Sequence, residues 1–297
     1  MAQPLEILRS SASLHGQASY LRDKATVSKY IDTTTCIGCK ACEVACQEWN
    51  DLPTVKTEQV GSYQTLPSLH ASFWNLIKFH EEELPGGGLA WLMRKDQCMH
   101  CADPGCLTAC PADGAIVQYT NGIVDFNQEH CIGCQYCLSG CPFNIPKFNP
   151  ATKKVYKCTL CSDRVGAGLE PACIKACPTG CLHFGSKEDM KFEADKRVKQ
   201  LKANGQEDAG VYNPGDPNGG SPGSIGGTHV IYVLNDLKHP EKYGDLPADP
   251  SVPFFVTMWK GPLKWLGGLG IAFGMLGVFM HRVRYGAKKV EGEENRA

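Results

Sequence analysis

The chain has 297 residues, with 30 Lys+Arg against 31 Asp+Glu and a formal net charge of −1. That balance argues against a nucleic-acid binder, which needs surplus positive charge to meet phosphate. An apolar fraction of 42% beside 21% charged residues excludes wholesale disorder.

The predicted elements follow in chain order. Residues 1–29 form an N-terminal extension. Its first 28 positions show no apolar h-region and no paired arginines, so no export signal is expected there. Residues 30–185 contain all 17 cysteines, from Cys36 to Cys181. A lobe at 50–95 is inserted among them, with a strand over 73–79 (FWNLIKF) and a loop at 85–88 (PGGG). A hairpin is predicted from 115–119 and 123–126 around the turn Thr120-Asn121-Gly122. Residues 186–253 form a cover and linker. There Ser186 and Asp189 make a capping box for a helix whose apolar face is Met190, Ala194, Val198 and Leu201 and which stops near Gly205. An extended loop over 210–227 and a strand over 228–234 follow. Residues 254–285 read as one transmembrane helix. Positions 265–280 carry no charge, and Lys264 can snorkel from the end. Trp259 and Trp265 face Tyr285 across this span as an interfacial belt, and Gly270 and Gly274 have the small-residue spacing that brings membrane helices together. A charged tail, 286–297, closes the chain.

Sixteen of the cysteines sort into four groups: Cys36, Cys39, Cys42, Cys46; Cys98, Cys101, Cys106, Cys110; Cys131, Cys134, Cys137, Cys141; and Cys158, Cys161, Cys173, Cys177. Each group opens C-x₂-C and closes C-x₃-C, so the repeated unit is a ligand set. Disulfides do not call for the same two spacings four times over. Structural zinc normally uses two C-x₂-C pairs split by a spacer. The third group, running from Cys131 to Cys141 and Pro142, is the C-x₂-C-x₂-C-x₃-C-P signature of bacterial ferredoxins, which hold cubane [4Fe–4S] clusters. Four clusters are therefore expected, in an α+β fold of two bacterial-ferredoxin-like modules forming a pseudo-repeat with inserted lobes, plus the C-terminal transmembrane helix.

Three close cysteines wrap three corners of a cubane, and Gly38 and Gly133 let the backbone curl with positive φ. The fourth cysteine starts a helix and reaches the neighbouring cluster. Pro111, Pro142 and Pro178 follow it in groups two to four, whereas Gln47 follows Cys46, so the first helix can run on through Glu48 and Trp49. The short hairpin joining groups two and three pairs those two groups, and groups one and four enclose them. Cluster A is then expected on Cys36, Cys39, Cys42 and Cys177, and cluster B on Cys46, Cys158, Cys161 and Cys173. Cluster C falls to Cys98, Cys101, Cys106 and Cys141, and cluster D to Cys110, Cys131, Cys134 and Cys137. The alternative pairing, one with two and three with four, stays open. Sixteen cysteines saturate four clusters, so His100 is read as a hydrogen-bonding residue and Cys181 as a buried apolar filler. Lys157 and Arg164 flank group four, where they either raise a cluster potential or sit on the surface. No phosphate loop, Ser/His/Asp set or substrate pocket is evident, so no catalytic residue is assigned.

The expanded groups C-x₂-C-x₄-C-x₃-C-P (from Cys98) and C-x₂-C-x₁₁-C-x₃-C-P (from Cys158) resemble those of iron–sulfur subunits of molybdopterin oxidoreductases. The first group with Gln47-Glu48-Trp49-Asn50-Asp51, and the C-terminal helix, resemble the beta subunits of membrane-bound respiratory formate dehydrogenases. Related nitrate reductase subunits replace one cysteine by tryptophan; here all sixteen positions are cysteine. The resemblance implies a non-catalytic electron-transfer subunit. Its partners would be a formate-oxidising alpha subunit with a molybdenum or tungsten pterin and a membrane gamma subunit, a cytochrome b that reduces quinone. A membrane hydrogenase or a sulfur-compound reductase would use the same wire, and a zinc-binding structural protein is the rival of another class. The expected place is the bacterial inner membrane, crossed once. Arg282, Arg284, Lys288 and Lys289 follow the helix and only Lys260 and Lys264 closely precede it, which puts the C-terminus in the cytoplasm and the cluster domain in the periplasm.

Overall fold

A computed structural model describes residues 5–12, 25–59, 61–84, 86–214, 223–260 and 262–294. Most of the expected N-terminal extension, positions 215–222 of the expected loop, Pro85 and the last three residues of the tail lie outside the described residues. The chain divides into two units, 1–253 and 254–297.

The first unit is organised by a four-stranded sheet with the order β10-β11-β2-β9, built from Gly210–Tyr212, Val230–Leu234, Val27–Asp32 and Leu182–Ser186. β11 runs parallel to β2, and the other two pairings are antiparallel. Side chains alternate across these strands with period two. Tyr30, Ile231 and Val233 pack with Ala194 and Leu201 of helix α6 (Lys187–Ala203). Ile31, Val230, Tyr232 and Leu234 pack on the other face among Cys42, Cys173 and Cys181. The sheet is thus a wall with a covering helix behind it and cysteines in front. α6 starts as its sequence requires: the Ser186 hydroxyl accepts from the Asp189 amide at 3.1 Å. Met190 and Val198 lie against the same cluster. Asp32 on β2 pairs with Arg197 of α6 at 2.8 Å.

The predicted hairpin forms as β5 (Ile116–Tyr119) and β6 (Val124–Phe126). A third strand, β1 (Ile7–Ser10) in the N-terminal extension, pairs with β5. Buried Arg9 anchors it, donating to Gln118 and pairing with Asp103 at 2.9 Å. The inserted lobe is a long hairpin of β3 (Leu76–Leu84) and β4 (Gly88–Asp96). The expected 73–79 strand therefore starts three residues late, because Phe73 is tied into a tight bridge with His70. β4 was not foreseen. A last hairpin, β7 (Lys147–Asn149) with β8 (Lys154–Tyr156), leads into Cys158.

Four short helices carry the cysteine groups: α1 (Ala41–Trp49), α2 (Gly105–Ala109), α3 (Tyr136–Ser139) and α5 (Ala172–Lys175). α4 (Ser162–Gly166) lies just before α5. One expectation is corrected here. The fourth cysteine does not start a helix in groups two to four. Cys110, Cys141 and Cys177 follow the ends of α2, α3 and α5, because the proline after each disfavours helical geometry at the residue before it. In group one Gln47 removes that restraint, and Cys46 lies inside a helix of 9 residues. α1 packs on α5, and α2 packs on α3.

The second unit is helical. α7 (Phe254–Lys260) is followed by α8 (Pro262–Glu294), so the 254–285 segment is two helices, and helix continues into the expected tail. Residues Trp265–Tyr285, 21 in number with mean hydropathy 1.4, are long and apolar enough to cross a membrane. Gly270 and Gly274 leave an open face with nothing near them among the described residues.

Candidate metal centres

None of the 17 cysteines is in a disulfide. The structure gathers sixteen into four sets. Cys36, Cys39, Cys42 and Cys177 line one cavity with Ile77, Met93 and Lys95. Cys98, Cys101, Cys106 and Cys141 line another with Met99, Val124 and Phe143. Cys46 lies with Cys158, Cys161 and Cys173; burial first, then the nearby Cys158 charge, pushes its thiol up to about 12. Cys137 lies with Cys110, Cys134 and Cys131; burial and then those three push it up to about 12. These gatherings follow from the packing of α1 on α5 and α2 on α3. Each short helix delivers its last cysteine to the loop of the other helix's group.

Neighbouring sets also lie in series: Cys42 shares a buried cluster with Cys173, Cys98 with Cys158, and Cys106 with Cys137. The order along the molecule is therefore A, B, C, D. All four thiols of set B are buried, whereas Cys39 of set A and Cys134 of set D are exposed.

Four buried thiols that repel one another as thiolates stay ionised together only around positive charge, which iron supplies. A zinc site needs its ligands within about 2.3 Å of one atom, whereas a cubane spreads four thiolates over separate irons. The donor sets fit the cubane.

The loops share one backbone device. The residue two after the first cysteine has positive φ in every group: Gly38 at 64°, His100 at 46°, Gly133 at 70° and Leu160 at 57°. That conformation turns successive N–H groups inward. The Leu160 amide donates to Cys158 Sγ at 3.4 Å, and the His100 amide to Cys98 Sγ at 3.5 Å. The two glycines were legible as turn formers. His100 and Leu160 were not, since neither favours that region by itself.

The remaining singled-out residues find their places. The His100 ring accepts the Val124 amide at 3.1 Å, and His229 contacts the His100 carbonyl at 2.7 Å. Lys157 is buried, donating to the carbonyls of Val124 and Cys158. Arg164 stacks on Trp49 at 4.1 Å and joins α4 to α1. Neither is a surface residue. Cys181 is buried in the core, and its sulfur lies 3.4 Å from Cys177 Sγ. Sequence reasoning missed Glu43. Buried in α1, it accepts from the Ile77 amide and the Thr65 hydroxyl, which clamps the inserted lobe onto group one.

Comparison with known proteins follows from this geometry. Two family profiles described as "4Fe-4S dicluster domain" match residues 35–114 and 89–187. A third, "Formate dehydrogenase N, transmembrane", matches 252–295. The chain is 51% identical over 290 residues to the nitrate-inducible formate dehydrogenase iron–sulfur subunit of Escherichia coli (strain K12), covering 97% of this chain and 96% of that one. It is 49% identical over 296 residues to the formate dehydrogenase-O iron–sulfur subunit of the same strain, covering 99% and 95%. The formate dehydrogenase iron–sulfur subunit of Haemophilus influenzae is 53% identical over 255 residues, covering 84% and 79%.

Proposed function

The chain belongs to the iron–sulfur subunits of formate dehydrogenase, and from that premise we propose that it relays electrons from a formate-oxidising molybdopterin subunit to a membrane cytochrome b subunit and the quinone pool. As a family member it holds four [4Fe–4S] clusters, has no catalytic site of its own and carries a single-pass membrane anchor. The ligand sets we assign are A (Cys36, Cys39, Cys42, Cys177), B (Cys46, Cys158, Cys161, Cys173), C (Cys98, Cys101, Cys106, Cys141) and D (Cys110, Cys131, Cys134, Cys137).

The observation that carries the reading is the serial arrangement of four cysteine sets with exposed thiols only at the two ends. When bound, the clusters supply one-electron redox steps. The protein's part is to hold each thiolate and keep water from set B. It also leaves Cys39 and Cys134 accessible, where partner subunits can bring their own redox groups close. Anaerobically prepared protein should contain about 16 Fe and about 16 inorganic sulfides per chain, as four cubanes require. Loading with zinc and no sulfide would sink the assignment.

Sidedness is part of the proposal. Four Lys/Arg follow the span (Arg282, Arg284, Lys288, Lys289) and two closely precede it (Lys260, Lys264), which favours a cytoplasmic C-terminus. The cluster unit then lies in the periplasm. It would be loaded in the cytoplasm and exported folded with a partner that carries a twin-arginine signal, so iron occupies its cysteines before they meet an oxidising compartment. Protease added to spheroplasts should digest the cluster unit and spare the residues after Tyr285. Digestion only in inverted vesicles would reverse the orientation.

A further inference from the structure

Two lysines lie in the cysteine core; the buried Glu43 carboxyl feels the charge of Lys95 but forms no ion pair with it. Lys29 is on β2, one pleat from Ile31, and so faces the cysteine side of the sheet. It is 1% exposed, and Lys95 on β4 is 2% exposed. The Lys29 ammonium lies 3.4 Å from Cys173 Sγ and 3.4 Å from Gln97 Oε1. Lys95 donates to that same Gln97 oxygen. Two cations therefore share one amide oxygen and repel each other. Among the described residues, neither is ion-paired with Asp or Glu. Their charge partners are thiolates: Cys173, Cys158 and Cys161 around Lys29, and Cys173, Cys42 and Cys158 around Lys95. Gln97 is fully buried, and its Nε2 donor has no hydrogen-bond partner.

Burying two like charges is costly unless opposite charge lies beside them. A cubane with four thiolates is an anion and gains one more negative charge on reduction. Positive charge and N–H donors beside it favour the reduced form. At set D the charges that act most on Cys137 are the other thiolates of its own set.

We propose that Lys29, Lys95 and Gln97 form a buried counter-charge that makes the centre on Cys46, Cys158, Cys161 and Cys173 easier to reduce than its buried, all-cysteine surroundings would allow. These are positioning residues: they act on the centre through its charge, and they ligate nothing. The inference rests on the four-cluster reading given above.

The test is a potentiometric titration of the intact complex followed by electron paramagnetic resonance, with iron and sulfide measured on each preparation. Methionine keeps the unbranched stem of lysine and loses the charge. In Lys29→Met, at the wild-type midpoint of the set B centre, the reduced-to-oxidised ratio should fall at least about tenfold, which is about 59 mV for a one-electron couple. The set D couple should not move, and Lys29→Arg should stay close to wild type. If Lys29→Met does not load four clusters, Lys95→Met should shift the set B couple in the same direction. A fully loaded Met variant with the set B couple unchanged overturns the proposal, as does Lys29→Arg shifting as far as Lys29→Met. Wild-type protein with fewer than four clusters would instead overturn the underlying reading, so the two failures are told apart by iron content before any titration.

Discussion

Replacing Cys46 by Ala should remove a centre whose other three ligands lie in the fourth group, Cys158, Cys161 and Cys173. Iron should fall from about 16 to about 12 per chain. Formate-to-quinone electron flow through the assembled complex should be lost, while formate oxidation with an artificial dye at the catalytic subunit is kept in part, since the chemistry lies there. The reason is geometric. α1 packs on α5, so the last cysteine of α1 is set among the cysteines beside α5. The reciprocal change, Cys177→Ala, should perturb the centre of Cys36, Cys39 and Cys42. Spectra in which Cys46→Ala instead alters the centre of Cys98, Cys101 and Cys106 would restore the other pairing of groups.

Gly105→Ala should cost both centres of the inner module, leaving about 8 Fe per chain. Gly105 opens α2 and Gly140 follows α3, and the two backbones are in direct apposition. A Cβ on Gly105 would land on the Gly140 carbonyl oxygen and beside Val252. A Cβ on Gly140 would meet the Gly105 carbonyl and Ala109. Backbone cannot yield as a side-chain tip does, so α2 and α3 must separate. Cys106 and Cys110 travel with one helix and Cys137 and Cys141 with the other, and sets C and D each draw on both. Gly268→Ala, in the open helical segment with nothing within 4 Å, is the control and should keep all four clusters. Full iron in Gly105→Ala would show that this contact does not position the ligands.

The centres were the most legible part of the chain, because wrapping a cubane is a local act. Three thiolates must leave one tight loop, so their spacing is short and repeats. The same holds for α6, whose cap and apolar stripe are written within 17 residues, and for the apolar Trp265–Tyr285 segment. What sequence by itself determined was therefore the donor chemistry, the module repeat and the membrane span. Only the tertiary structure decided what depends on distant neighbours. The parallel pairing of β2 with β11 joins strands about two hundred residues apart, and β1 reaches β5 across a hundred; neither has a local signal. β4 alternates too weakly to declare itself, and it becomes a strand by pairing with β3. His100 and Leu160 take up positive φ because the loop that curls around the sulfurs imposes it. Lys29 and Lys95 read as ordinary charges in sequence. They are buried because the sheet and the inserted lobe close around anionic sulfur, which helps make an interior ammonium tolerable.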